Sequence, residues 1–197
     1  MAQIATIIAG EIPTSLDLDV RGDISGHDSS VLATSALKGA LIAVGAENIT
    51  YVNAPGLATE RGMTSSVVTN PESPLYRSMI SLKAALPDGR RVVVDGTLMG
   101  IRHVEKIIAI NGFDLDLPPT EHLLFLQYAD RPGVVGAVGS ALGGAGINIT
   151  GMQVARSEDG GEALMALNID SALAADLLAK VEKETGAHLV RTVTLVS

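Results

Sequence analysis

The sequence predicts an α+β protein of two domains, a mixed α/β domain followed by a more regular domain of the order βαββαβ. Three observations support this prediction. Apolar residues make up 47 % of the 197 residues, and they recur at strand and helix spacings along most of the chain. Two adjacent prolines, Pro118 and Pro119, interrupt regular structure where the pattern changes. The predicted domains therefore span residues 1–119 and 120–197.

The second domain alternates strand and helix signals. Four segments have the composition of strands: 123–128, 147–156, 163–169 and 188–196. The first helix is expected to begin at residues 130–132, with proline near its first turn, and to end at Gly146. The second is expected to be capped by Asp170 or Ser171 and to end at Gly186. This order predicts a ferredoxin-like sandwich, with two helices on one face of an antiparallel sheet.

The first domain is less regular. Its predicted elements, in chain order, are a strand at 15–20, a helix from Asp28 or Ser29 to about Val44, a short strand at 49–52, a short helix at 55–61, a hairpin over 78–99 and a strand or helix edge at 104–110. The hairpin is expected to turn at Pro87-Asp88-Gly89.

Composition narrows the classes of function. The formal net charge of −8 and the lack of basic runs argue against a nucleic-acid partner, because phosphate contacts need clustered Lys and Arg. The absence of Cys excludes disulfides and thiolate chemistry. No run approaches the ~18 apolar residues of a membrane span. The N-terminus lacks the positive region of a signal peptide, so a cytoplasmic protein without a membrane partner is expected.

The glycine-rich stretch at 128–150 does not fit a nucleotide site. Gly144 and Gly146 lie at the end of the predicted helix, whereas a dinucleotide fingerprint needs its glycines at the strand-to-helix turn. The four histidines are scattered without metal-ligand spacing, and no nucleophile motif such as G-x-S-x-G occurs. We therefore expect no catalytic residues, no metal and no cofactor in this chain.

The same stretch fits a free amino acid better. The helix N-terminus near Gly133 can offer backbone N–H groups to a carboxylate. Asp130 stands at that end and can bind an ammonium, and the amide of Asn148 is expected on a strand beside 123–128. The residues alone favour another role for Asp130, that of a helix N-cap.

Two groups of motifs resemble known families. Residues 128–133 (YADRPG) and 146–149 (GINI) resemble the ACT domain, an amino-acid-sensing module. Residues 51–62 (YVNAPGLATERG), together with Glu72-Ser73-Pro74 and Asp95-Gly96-Thr97, resemble the intervening domain of long D-3-phosphoglycerate dehydrogenases. This domain is also called the allosteric substrate-binding domain, and it precedes the ACT domain in those enzymes.

The resemblance implies a regulatory role. The ACT domain would bind L-serine, the end product of the pathway, with Tyr128, Asp130 and Asn148 matching the ligand-contacting positions. Two ACT domains would pair side by side in a homodimer or tetramer, with serine between two subunits. The catalytic domains of the parent enzyme, which bind NAD, have no counterpart in this sequence and would be its partner.

The resemblance also implies an anion site in the first domain. Lys106 matches one basic residue of that site, and Arg102 or His103 could replace a second one. A solvated surface lysine is the alternative interpretation of Lys106.

Three other functions remain open. The chain could be the regulatory chain of a serine dehydratase, or a stand-alone ACT sensor for another amino acid such as glycine or a branched-chain residue. It could also be a purely structural oligomerisation module, which would form dimers or tetramers without responding to a small molecule.

Overall fold

The structure is a computed structural model, and it describes residues 1–196. The chain divides into two compact units, Met1–Asn111 and Gly112–Ser197. Helices and two separate sheets confirm the predicted α+β class. The division lies before the boundary predicted at residue 119, so that Pro118 and Pro119 belong to the second unit. No helix of the described chain is long and apolar enough to cross a membrane.

The first unit is a sheet with helices on one face. Its elements are α1 (Ala2–Ala9), β1 (Ser15–Gly22), α2 (Ser30–Ala43), α3 (Ala54–Glu60), β2 (Thr64–Asn70), β3 (Ser78–Ala85), β4 (Arg91–Met99) and β5 (Val104–Ile110). Within this unit the strands follow the order β2-β1-β3-β4-β5, in which only the β1–β2 pair is parallel. Leu16 and Val20 alternate into the core and are fully buried. Gly39 lets α2 approach α1, because a Cβ there would lie 3.2 Å from the Cβ of Ala2.

The structure confirms five predicted features of this unit: the strands at 15–20 and 104–110, the helix after Ser29, the short helix at 55–61 and the hairpin over 78–99. The strand predicted at 49–52 is wrong, because Asn53 folds this segment into a turn. Its side chain accepts a hydrogen bond from the Thr50 N–H at 2.7 Å and donates one to the Asn48 carbonyl at 2.9 Å. Such local bonds compete with strand pairing. Helix α1 and strand β2 were not predicted.

The second unit has the predicted βαββαβ order after one extra strand. Its elements are β6 (Phe113–Leu117), β7 (His122–Ala129), α4 (Val134–Gly144), β8 (Ile149–Arg156), β9 (Glu162–Ile169), α5 (Ala175–Thr185) and β10 (Leu189–Thr194). The antiparallel sheet has the order β10-β7-β9-β8. Its core is mainly aliphatic and includes Leu126, Val138, Leu142, Met165 and Val181.

Three details of the second unit correct the sequence-based expectations. Helix α4 begins at Val134, with Gly133 as its N-cap, rather than at residues 130–132. Helix α5 has Ala174 as its N-cap, and neither Asp170 nor Ser171 caps it. Strand β8 does not lie beside β7, because β9 pairs with both strands and separates them.

The face of this sheet opposite α4 and α5 is also buried. Phe125 and Leu164 on this face are nearly or fully inaccessible, and β6 lies against β8 and β9. Asn168 of β9 donates a hydrogen bond from Nδ2 to the Pro118 carbonyl at 3.1 Å. The segment that follows β6 is therefore attached to the sheet by a side chain of its central strand pair.

Candidate functional site

Asp130 follows directly after β7, and its position is fixed by two contacts. Its backbone N–H donates to the Gly161 carbonyl at 2.9 Å. Its Oδ2 forms an ion pair with Arg156 Nε at 2.8 Å, with the Asp130 side chain 27 % exposed and the Arg156 side chain 74 % exposed. Asp130 therefore pairs with a side chain of β8, across β9, and the N-cap role that the residues alone favoured is wrong, because Gly133 is the N-cap of α4.

Arg156 is a candidate site residue that the sequence did not indicate. It ends β8, where it lies opposite Ala163 of β9, and Ala129 lies opposite Glu162 on the other side of β9. The two antiparallel registers bring residues 130 and 156 to the same end of the sheet. Knowledge of the strand order would have been needed to find this pair, because 26 positions separate them in the chain.

Arg131 has a different role from its neighbour Asp130. Its Nη2 donates to the Thr185 carbonyl at 2.7 Å, at the last residue of α5. The last carbonyls of a helix have no partner within the helix, and a cationic donor there also interacts favourably with the helix dipole. Arg131 therefore stabilises the end of α5, whereas Asp130 contacts Arg156 at the end of the sheet.

Gly133 is the N-cap of α4. Its φ of +93° lies in the left-handed region, and the space where a Cβ would lie is open. The first N–H groups of a helix have no partner within it. This backbone conformation allows the turn after Pro132 to lead directly into α4, next to the end of β7 that carries Asp130.

Tyr128 lies in the core of the second unit and is 2 % exposed. Burial raises the pKa of its hydroxyl, because the phenolate would lose its hydration, and the nearby Asp130 carboxylate raises the pKa further. Arg156 partly offsets both effects. Tyr128 is therefore a neutral, packed side chain whose surroundings include both charged residues of the site.

Asn148 lies at the opposite end of the sheet from Asp130. Its side chain is exposed. Its N–H donates to Asp170 Oδ1 at 3.1 Å, and the Asp170 N–H donates to the Asn148 carbonyl at 3.2 Å. Strand β8 runs between the two ends, which spans about 23 Å at 3.3 Å per residue. A single chain therefore does not bring Asn148 to Asp130, contrary to the pocket expected from the sequence.

The edge beside this site is apolar and open. Strand β8 is the last strand of its sheet, and no described strand pairs with its outer side. Val135 of α4 and Met152 and Val154 of β8 are 45 %, 40 % and 41 % exposed. Helix α4 also carries glycines that have open space at the Cβ position: Gly136, Gly139 and Gly143. We call β8 together with Val135 the open edge of the second unit.

The three anion-site candidates lie near the β4–β5 turn of the first unit. Lys106 is on β5 opposite Thr97, whereas Arg102 and His103 are in the turn itself, where His103 has a φ of +50°. His103 lines an open cleft of about 720 Å³ together with His27 and Arg77, and neither Lys106 nor Arg102 is among its lining residues. The structure therefore does not gather the three candidates into one cleft.

Possible metal ligands and the ion pairs of the cleft complete the description of the first unit's candidate residues. No group of three or more His, Cys, Asp or Glu side chains there is arranged to hold a metal ion. The cleft near His103 contains one ion pair, between Arg77 Nε and Asp23 Oδ2 at 2.5 Å. Both of its side chains are mostly exposed, so it contributes little to stability.

Comparison with known proteins assigns a family to each unit. Residues 3–111 match the family described as the D-3-phosphoglycerate dehydrogenase intervening domain, and residues 122–186 match the ACT domain. The boundary predicted at residue 119 falls between the two matches.

Curated relatives agree with these families. The chain is 35 % identical over 192 residues to a D-3-phosphoglycerate dehydrogenase of Mycobacterium leprae and 37 % identical to that of Mycobacterium tuberculosis. Each alignment covers 98 % of this chain and 36 % of the relative. The Bacillus subtilis enzyme is 38 % identical over 78 % of this chain and 29 % of its own length. The chain thus spans about a third of the length of these relatives.

Proposed function

Because the chain belongs to the D-3-phosphoglycerate dehydrogenase intervening-domain family and carries an ACT domain after that domain, we propose that it binds L-serine as a feedback regulator. Serine would bind at the ACT domain, between two copies of the chain. The observation that carries this proposal is the location of Asp130 and Asn148 at opposite ends of the exposed edge strand β8.

Antiparallel pairing of two β8 strands would complete the site. In such a pair the first residues of one strand lie beside the last residues of the other. Asn148 precedes β8 and Arg156 ends it, so Asn148 of one copy would approach the Asp130–Arg156 pair of the second copy. A two-fold axis would form two equal sites in this way. The open edge would be buried in the same step, since Val135, Met152 and Val154 lie along it.

The charges of the site suit a zwitterion. The Asp130 carboxylate can accept from the ammonium group of serine, and the Arg156 guanidinium can donate to its carboxylate. The Asn148 amide can bond the hydroxyl. Arg156 is largely exposed, so its bond to Asp130 can be rearranged at small cost. The free N–H groups after Gly133 would add donors for the carboxylate.

The remaining features of the parent enzyme follow from family membership as proposals. The catalytic domains, which would bind NAD, would be the partner of this regulatory region, in a homodimer or tetramer located in the cytoplasm. Serine binding would favour one relative arrangement of two ACT domains, and the shift is limited by the difference in affinity between the arrangements.

Titration calorimetry tests serine binding. We expect heat from L-serine with a dimeric sample of the chain, and an affinity at least about tenfold lower for Asp130→Ala, because a charge-assisted hydrogen bond contributes on the order of 1.5–3 kcal/mol. Asp159→Ala is the matched control, since Asp159 is an exposed acid in the β8–β9 turn and its loss should leave the affinity unchanged. No heat at millimolar serine, from a folded dimer, would contradict the proposal.

A panel of amino acids separates serine from the alternatives. A ligand that binds only the native state raises the melting temperature. A shift with glycine or a branched-chain amino acid, and none with serine, would indicate a sensor for another ligand. A dimer that responds to none would indicate a structural module.

The anion site of the first unit is a second, separate proposal. His103 lies in the cleft with His27 and Arg77, so we propose that an anion binds there, with Lys106 and Arg102 at its margin. Titration with inorganic phosphate, followed by the NMR signals of the histidine rings, tests it. We expect the signals of His103 and His27 to move, and His103→Ala to weaken the response. Unchanged histidine signals would exclude this cleft as the anion site.

A further inference from the structure

Asn168 is a buried polar residue that follows an apolar run in strand β9. It is 4 % exposed in strand β9, and the residues before it from Ala163 to Leu167 are apolar and buried. Its Oδ1 is buried and has no hydrogen-bond partner among residues 1–196. A buried acceptor without a partner destabilises a folded protein, so such a group in a strand needs a reason.

Within the described residues, the Asn168 side chain makes one hydrogen bond, and it is to the segment that follows β6. Its Nδ2 donates to the Pro118 carbonyl at 3.1 Å. A carbonyl can only accept, so the orientation of the amide is determined by this contact. Pro118 has no N–H of its own. The segment after β6 is thus held to β9 here by one side chain.

Strand β8 is shaped around the Asn168 amide. Gly151 lies opposite Asn168, and the register between β8 and β9 shifts between Ile149 and Gly151. A Cβ at Gly151 would lie 3.3 Å from Asn168 Nδ2, which is closer than most Cβ contacts. The glycine therefore leaves room for the amide, and a side chain in its place would press on the donor that binds Pro118.

The Asn168 contact is continuous with the loop that carries Asn148. Two hydrogen bonds join Asn148 to Asp170, one in each direction, and Asp170 is two residues beyond Asn168 on the same strand end. These two bonds link the position of Asn148 to that of the end of β9. A path from Asn148 to Pro118 therefore consists of these hydrogen bonds, the backbone of residues 168–170 and the Asn168 side-chain bond.

We propose that Asn168 is a positioning residue that couples an amino acid bound at Asn148 to the segment around Pro118. The inference rests on the proposed function, because it takes the ligand to bind at Asn148. An amide with one hydrogen bond and an unsatisfied oxygen forms a marginal contact. A small movement of the Asp170 end of β9 can therefore strengthen or break it. The ligand would change the attachment of residues 112–121 without touching them.

Hydrogen exchange measures this coupling directly. The probe is L-serine, and the readout is the exchange of the backbone amides in residues 112–121 of the full chain, with and without serine. In the native sequence we expect serine to change exchange in this segment severalfold. In Asn168→Leu, which has a similar volume and no donor, we expect serine to bind within about tenfold of the native affinity but to leave exchange in the segment unchanged.

Two further variants separate coupling from general destabilisation. Thr192→Val is the matched control: it removes another hydrogen bond from a side chain to a strand carbonyl, the one from Thr192 Oγ1 to Leu123 at 3.2 Å, and the response of 112–121 should persist. Gly151→Ala retains Asn168 but crowds its Nδ2, and it should reduce the response even if Asn168→Leu does not fold.

The outcomes distinguish the two proposals. Serine binding together with a full response in Asn168→Leu or in Gly151→Ala overturns the coupling role and leaves the serine site intact. Serine binding to the native chain without any response in 112–121 also overturns it. If the native chain binds no serine, the proposed function fails and the coupling inference fails with it.

Discussion

Single residues in this chain have roles that depend on backbone conformation as much as on chemistry. Gly133 and Gly139 belong to the same glycine-rich stretch, yet the first has a φ of +93° and the second lies inside helix α4. Neither has an atom near the Cβ position. The two glycines thus differ only in backbone requirement, so the same substitution should have opposite effects.

We expect Gly133→Ala to lower the free energy of unfolding by about 1 kcal/mol, because a side chain is strained in the left-handed region. Gly139→Ala should raise it by roughly 0.5–1 kcal/mol, because alanine is the better helix former. Urea unfolding of both variants measures these two changes in the free energy of unfolding. Equal shifts in the same direction would contradict this interpretation of the stretch.

The raised pKa of Tyr128 leads to a prediction about how the free energy of unfolding depends on pH. Burial raises the pKa of its hydroxyl above the usual 10.0, so the folded state keeps the proton at a pH where the unfolded chain has lost it. The free energy of unfolding should therefore fall as the pH rises past about 10. Tyr128→Phe should reduce this fall, as measured by urea midpoints at pH 8 and pH 11. An identical pH dependence in both proteins would contradict the assignment.

At the scale of elements, strand β8 is the element on which the proposed serine site depends. It is an edge strand with an exposed apolar side, and natural proteins rarely leave such an edge uncovered. Its two ends carry the halves of the candidate site, since Asn148 precedes it and Arg156 ends it. Covering the edge and completing the site are therefore one event in this account.

A charged side chain on the open edge should prevent both the pairing of two copies and the binding of serine. We expect Val154→Asp to shift the chain toward monomer and to abolish serine binding, while circular dichroism shows a folded protein. Val68→Asp is the matched control, because Val68 is 63 % exposed on the edge strand β2 of the first unit. Light scattering coupled to gel filtration measures the mass. A Val154→Asp dimer that binds serine normally would place the site elsewhere.

The elements of the second unit could be predicted because their signals are local. Apolar periodicity located its strands and helices, and Gly186 ended α5 as expected. The start of α4 was misplaced because proline at residue 132 is compatible with a turn before a helix as well as with its first turn. The strand at 49–52 was wrong because side-chain bonds of Asn53 outweigh a short apolar run.

At the scale of the whole molecule, the candidate site could be predicted only in part. The motifs indicated Asp130, Gly133 and Asn148 as candidates, and their role in binding stays a prediction. The sequence placed Asp130 and Asn148 together because it assumed that β7 and β8 are neighbours, whereas β9 separates them. Arg156 was missed for the same reason. Strand order depends on contacts between distant segments, which a pattern along the chain does not report.

In the proposed function, this long-range order makes the one pocket expected from the sequence a site shared between two copies. There, each chain would supply two half-sites separated by the length of β8, about 23 Å, and a second copy would join them. The regulatory role of the protein then depends on assembly, because a monomer would have low affinity for serine. Asn168 would transmit the bound state toward Pro118 within each copy.

A mixed dimer tests the shared site most directly. Asp130→Ala and Asn148→Ala chains carrying different affinity tags are co-expressed, and the mixed dimer is purified through both tags. One of its sites has lost both residues, and the other retains Asp130 from one chain and Asn148 from the other. We predict that either variant alone binds serine weakly, and that the mixed dimer binds one serine per dimer with native affinity. A mixed dimer that binds no better than the single variants would contradict a site shared between two copies.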